Sequence, residues 1–213
     1  MTLTTTLNSK TIDIETSDHA QGPNLPQRVG NKLWKPMLGM ALTGFAVGSV
    51  LAAIRATAIA NGDAVSTIVS LQHFVPAAMF VGFASVFAAI SFAIARILGE
   101  FRAGGGAVQE AAGLSVETLK MAPTAKAFIG LMAMAMMTIL AAVVAHIIIG
   151  AQIASGDTTA LAGSEQWAIW LEGVRRFGTA LYLFAIALGL GTIIHVLRFQ
   201  AIRIHELAGE TNR

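Results

Sequence analysis

The chain of 213 residues contains no cysteine, which removes disulfides, thiolate metal sites, iron–sulfur clusters and cysteine nucleophiles together. Charge is scarce as well. Asp, Glu, Lys and Arg make up 12% of the residues, about half the share usual in soluble domains. The net charge is only +2 and no basic stripe is interleaved with aromatics, so nucleic acid is not an expected partner. No Asp, Glu or Lys falls in the central part of any long apolar run. Proton-coupled transporters and carboxylate-bridged metal sites ordinarily need such an acid, so both lose ground. No HExxH, paired-carboxylate or nucleophile motif occurs, and the GLGT at 189–192 lacks the strand and spacing of a phosphate loop. No catalytic residue and no metal ligand set is therefore assigned, and the chain is expected to have no catalytic activity of its own.

What is present is apolar. Hydrophobic residues reach 55%, gathered into four runs at about 36–60, 74–98, 127–154 and 177–197. A hydrocarbon core of about 30 Å is crossed by about 20 helical residues. Lipid offers the backbone no partners, so each run is helical by necessity. The expected fold is an all-α integral membrane protein, four transmembrane helices in an up-down bundle within residues 33–208. A duplicated hairpin is an additional reading, because KPMLG at 35–39 and IANGD at 59–63 are echoed by KAFIG at 126–130 and IASGD at 153–157.

Residues 1–32 are rich in Thr, Asn and Asp and read as a polar cytoplasmic tail, with a second short tail at 209–213. The first apolar run starts too late and runs too long for a secretory signal, so the tail is expected to be retained. Lys and Arg near the run ends set the orientation. Arg28, Lys32, Lys35, Arg96, Arg102, Lys120, Lys126, Arg198 and Arg203 collect on one side, against Arg55, Arg175 and Arg176 on the other. Both termini are thus expected in the cytoplasm, with a bacterial inner membrane as the location. Trp167, Trp170, Leu171 and Val174 recur at helical spacing, which predicts a short interfacial helix at about 164–175. GGG at 104–106 predicts a flexible break. Gly44, Gly48 and Ala52 form one small-residue stripe and Ala78, Gly82, Ser85, Ala89 and Ala93 another, a pattern that lets two helices pack closely. Phe80, Phe83 and Phe87 lie largely on the opposite face of the second run.

The ionisable residues that enter the apolar runs are Arg55, His73 and His146 towards the outer face and His195 towards the inner. His73 and His146 share a depth, and two imidazoles on neighbouring helices are a ligand set for haem b, with Arg55 placed to pair with a propionate. Against that stands the ordinary reading, in which a histidine near a membrane surface is hydrogen-bonded there. The small stripe and the His73 face also lie on opposite sides of one helix. Met132 and Met136 are one turn apart but read as packing rather than a copper site.

No cofactor is required by these residues, and haem b is the alternative. The expected function is a non-catalytic membrane subunit, or an assembly or stabilising factor, of a larger complex of redox or respiratory type. A haem b electron-transfer subunit is the second reading and a small transporter or channel the third. Its partners would be the lipid bilayer and other membrane subunits, with a homo-oligomer as the alternative.

Overall fold

Asn24 and Gln27 cap each other: the Gln27 N–H donates to Asn24 Oδ1 (3.2 Å) and the Asn24 N–H to Gln27 Oε1 (2.8 Å). This reciprocal box starts a helix at Leu25. The computed structural model describes residues 24–113 and 115–210, together with the backbone of residues 6–7, 10–11 and 14–17. In order they form β1 (Thr6–Leu7), β2 (Lys10–Thr11), β3 (Ile14–Ser17), α1 (Leu25–Asn61), α2 (Val65–Ala111), β4 (Val116–Leu119), α3 (Pro123–Ala154) and α4 (Thr158–Glu210). All four helices are long and apolar enough to cross a membrane, which marks a multi-pass, predominantly helical membrane protein.

The α1–α2 and α3–α4 turns are built alike. Gly62 and Gly156 adopt φ of 69° and 91°. The following residues, Asp63 and Asp157, donate back to Ala58 O (3.0 Å) and Gln152 O (3.1 Å), and the glycines themselves donate to Ile59 O and Ile153 O. These are two Schellman endings, and each needs a residue free to take left-handed φ. Asp157 also opens α4, accepting from the Thr159 N–H (2.8 Å) and the Ala160 N–H (3.1 Å).

Several boundaries differ from expectation. The interfacial helix expected at about 164–175 is the early part of α4, which runs unbroken from Thr158 to Glu210, with no proline to stop it. GGG at 104–106 does not break α2, which continues to Ala111. Bare Cα atoms there serve packing instead: a Cβ on Gly105 would collide with the Gln200 side chain, whose amide donates to Phe101 O (3.3 Å). Part of the stretch expected to be a tail forms β1–β3 and the start of α1. Residues 1–5, 8–9, 12–13, 18–23 and 211–213 lie outside the described residues.

The chain divides into two compact units: Met1–Leu33, Ser91–Ile129 and Ala185–Arg213 form the first, Trp34–Ile90 and Gly130–Phe184 the second. In the first, β3 pairs antiparallel with β4, Ile14 opposite Leu119 and Ser17 opposite Val116. The Gln109 amide brackets β4, donating to Glu117 O (3.1 Å) and accepting from the Glu117 N–H (2.8 Å). The Glu117 carboxylate is buried against Arg203 (3.2 Å). Phe199 and Ile202 cover Leu119, so the apolar stripe at the end of α4 is spent on β4.

In the second unit α2 has neighbours on two faces. Its small face meets α1, where a Cβ on Gly44 would lie 2.6 Å from Gly82 N and one on Gly48 2.9 Å from Met79 Cγ. Phe45 and Phe83 meet edge to face at 5.0 Å. The other face turns to α3 and α4, where Phe80, Ala135, Ile139, Val143 and Tyr182 form a buried core. Phe80 is thus interior rather than part of an exposed aromatic face, while Phe83 stays about half exposed.

Candidate functional site

His73 sits early in α2 and Phe80 two turns further on the same face, so both point at α3. His146 faces them from α3. The two imidazoles meet with Nδ1 atoms 3.1 Å apart and ring centroids at 5.3 Å. Both are buried, at 0% and 3% exposure. Gly150, one turn beyond His146, makes room for the contact, since a Cβ there would press on the Phe74 ring at 3.0 Å.

At 3.1 Å one ring donates its Nδ1 proton and the other accepts it. That leaves His73 Nε2 buried and without a partner among the described residues, as either a bare lone pair or an unmet N–H. An unmet buried polar group of this kind costs about 1–3 kcal/mol unless something meets it.

Two charged groups reach the pair from α4. Arg175 and Glu172 both lie close enough to His146 to act on it electrostatically, with opposite signs. Arg175 is placed over the Phe80 ring, 4.8 Å from its centroid, and Phe80 in turn meets His146 edge-on at 5.5 Å. Glu172 forms ion pairs with both Arg175 and Arg176. Next to this layer opens a cleft of about 500 Å³ bordered by Phe80, Phe83, Phe87, Arg175, Arg176 and Thr179. Tyr182, fully buried and stacked on Phe87 at 5.4 Å, lies in the same core with a hydroxyl unpartnered among the described residues.

The two histidines singled out from sequence are therefore brought together, whereas Arg55 is not placed with them. Its Nη2 lies 3.5 Å from Gln72 Oε1, and its Nε is buried without a partner among the described residues. The guanidinium that acts on His146 is that of Arg175, which from sequence counts only as an outer-side charge. A signal for it existed: Glu172, Arg175, Thr179 and Tyr182 recur at three- and four-residue steps and share one face of a helix.

The apparent conflict between the small stripe and the His73 face dissolves because α2 is packed on both. Of the polar residues that a pore would need, Thr43 and Thr138 bond carbonyls of their own helices, Gly39 O and Met134 O, and Ser49 is exposed. Among the described residues no three His, Asp or Glu side chains converge as a metal site. Compared with protein-family models, curated proteins and solved structures, the chain matches none of them.

Proposed function

We propose that the chain is an integral membrane subunit without catalysis of its own, whose working centre is the His73–His146 pair, the residues that would hold a haem b. The observation that carries this reading is the pair itself: two fully buried imidazoles from different helices in contact at 3.1 Å, one with a ring nitrogen unpartnered. The residue kinds suit the group. Neutral imidazoles ligate haem iron, Phe80 supplies an aromatic wall, and Arg175 is a better placed propionate partner than Arg55. The spacing is short by a definite amount. A metal held at about 2 Å by each nitrogen needs about 4 Å between them, and a macrocycle would also need the space that contacts such as Phe74 against Gly150 now fill, so loading would require the α2–α3 contact to open.

When bound, haem b supplies one-electron transfer, and such a carrier in a bilayer works only between a donor and an acceptor. That requirement supports a place among other membrane subunits, in a complex of redox type. The Lys and Arg distribution supports cytoplasmic termini in a bacterial inner membrane. Contact pairs that fall on α2 as they rise on α1, Gly44 with Gly82 and Gly48 with Met79, support the up-down order. The twin turns at Gly62 and Gly156 support a duplicated hairpin.

A second reading is favoured by the same distance, which is already that of an N–H···N hydrogen bond. In it the imidazoles pin α2 to α3, and the chain is a stabilising or assembly subunit with no cofactor. A transporter ranks third, because its polar residues do not assemble a path.

Extraction in mild detergent, followed by mass measurement of the intact complex and an absorption spectrum of the same sample, separates these readings. The first expects a Soret band that disappears in both His73→Ala and His146→Ala while helical circular dichroism is kept. Partner subunits without pigment favour the second. A colourless chain without partners overturns both.

A further inference from the structure

A second cavity, in the first unit, is unrelated to the histidine pair and does not rest on the proposal above. It measures about 140 Å³. One wall is β4, from Glu117 to Leu119, continuing through Met121. The others come from Leu98 and Arg102 on α2, the first turns of α3 with Ala125 and Phe128, and His195 and Phe199 on α4.

Its charge is one-sided. Arg102 and His195 have no hydrogen bond or ion pair among the described residues, and Arg102 Nε is buried with nothing to receive its proton. Lys120 also borders the space. The single carboxylate on the wall, Glu117, is already engaged by Arg203 at 3.2 Å. The start of α3 adds the positive end of a 32-residue helix, although Pro123 has no N–H and those of Ala125 and Lys126 already donate to Ala122 O. Much of the remaining lining is apolar, with Leu98, Phe128, Ile129, Val196 and Phe199. A partly exposed guanidinium whose buried Nε has no acceptor among the described residues suits an anion with a planar pair of oxygens, and the apolar lining suits a hydrocarbon body. Size restricts the choice. The enclosed space suits a short chain.

We propose that this cavity binds a short-chain organic carboxylate, with its oxygens on Arg102 and its apolar end against Phe128 and Phe199. His195 and the positive end of α3 border the anion, and β4 forms one wall. Sodium butyrate is the probe, titrated calorimetrically into the full-length protein in detergent, beside butyramide, which has the same shape without the charge. Saturable butyrate binding is expected, with butyramide silent. Arg102→Gln should weaken butyrate binding by about ten- to hundredfold, the range for losing a charge-assisted bond. Leu98→Trp, which fills the apolar end, should abolish binding with circular dichroism and thermal unfolding unchanged. Equal binding of butyrate and butyramide, no butyrate binding at millimolar concentration, or an Arg102→Gln variant that binds as well as the parent would each overturn the assignment.

Discussion

Adding one methyl group at Gly44 is a sharp probe of how α1 meets α2. A Cβ at that position would lie 2.6 Å from Gly82 N, 2.9 Å from Gly82 Cα and 3.1 Å from Ala78 O. All three are backbone atoms, so no side chain can swing away. Reaching an ordinary contact of 3.4 Å from 2.6 Å forces the helices apart by about 0.8 Å locally. A gap of about 0.5–1 Å forfeits a quarter to a half of each dispersion contact across it, including the Phe45–Phe83 and Gly48–Met79 contacts. Overpacking of this sort costs about 1–3 kcal/mol. Gly39 is the internal control: it lies in the same helix with nothing within 4 Å of its notional Cβ. Gly39→Ala should gain up to about 1 kcal/mol from helix propensity, a gain that Gly44→Ala shares and must overcome. The two variants should therefore differ by about 1–3 kcal/mol, measured by reversible denaturation in mixed SDS micelles. Equal stability of Gly44→Ala and Gly39→Ala would refute close backbone contact between α1 and α2.

Four further outcomes are expected. Arg203→Ala leaves Glu117, 4% exposed, as a buried charge without its cation and should cost about 3–5 kcal/mol. Glu206→Ala removes only the outer, more exposed partner of Arg203 and should cost under about 1 kcal/mol in the same denaturation assay. Asp157→Ala removes the acceptor for two N–H groups at the start of α4. It should destabilise by about 1 kcal/mol, seen as faster hydrogen exchange at Thr159 and Ala160. In cofactor-free protein a double-mutant cycle on His73 and His146 should return a coupling of about 0.6 kcal/mol, the average for interhelical hydrogen bonds in a membrane protein, and no more than about 1.7. A coupling near zero would remove the pin between α2 and α3.

The four helices were legible because hydrocarbon leaves an apolar run no other way to pair its backbone. Their ends were not. Whether α2 stops at GGG depends on Gln200 entering the space above Gly105, and that contact joins residues far apart in sequence. β4 was missed for a related reason. VETL carries little apolar signal of its own, and its strand is defined by β3, by the Gln109 bracket and by the cover of Phe199 and Ile202. His73 and His146 were legible as a pair because helical rise sets depth well. Facing is harder to read, since a helix with two packed faces has no single inside direction. Arg175 escaped because its place was set by the Phe80 ring beneath it.

The histidine contact also bears on how the chain is made. His73 and His146 are separated by 73 residues, so at about 5–20 residues per second the first ring waits roughly 4–15 s for the second to be synthesised. Through that interval α2 resides at the translocation machinery or in the bilayer with one imidazole unsatisfied. The early hairpin therefore becomes self-sufficient only once α3 arrives, and a nascent chain halted before residue 146 is the one quality control should recognise and degrade.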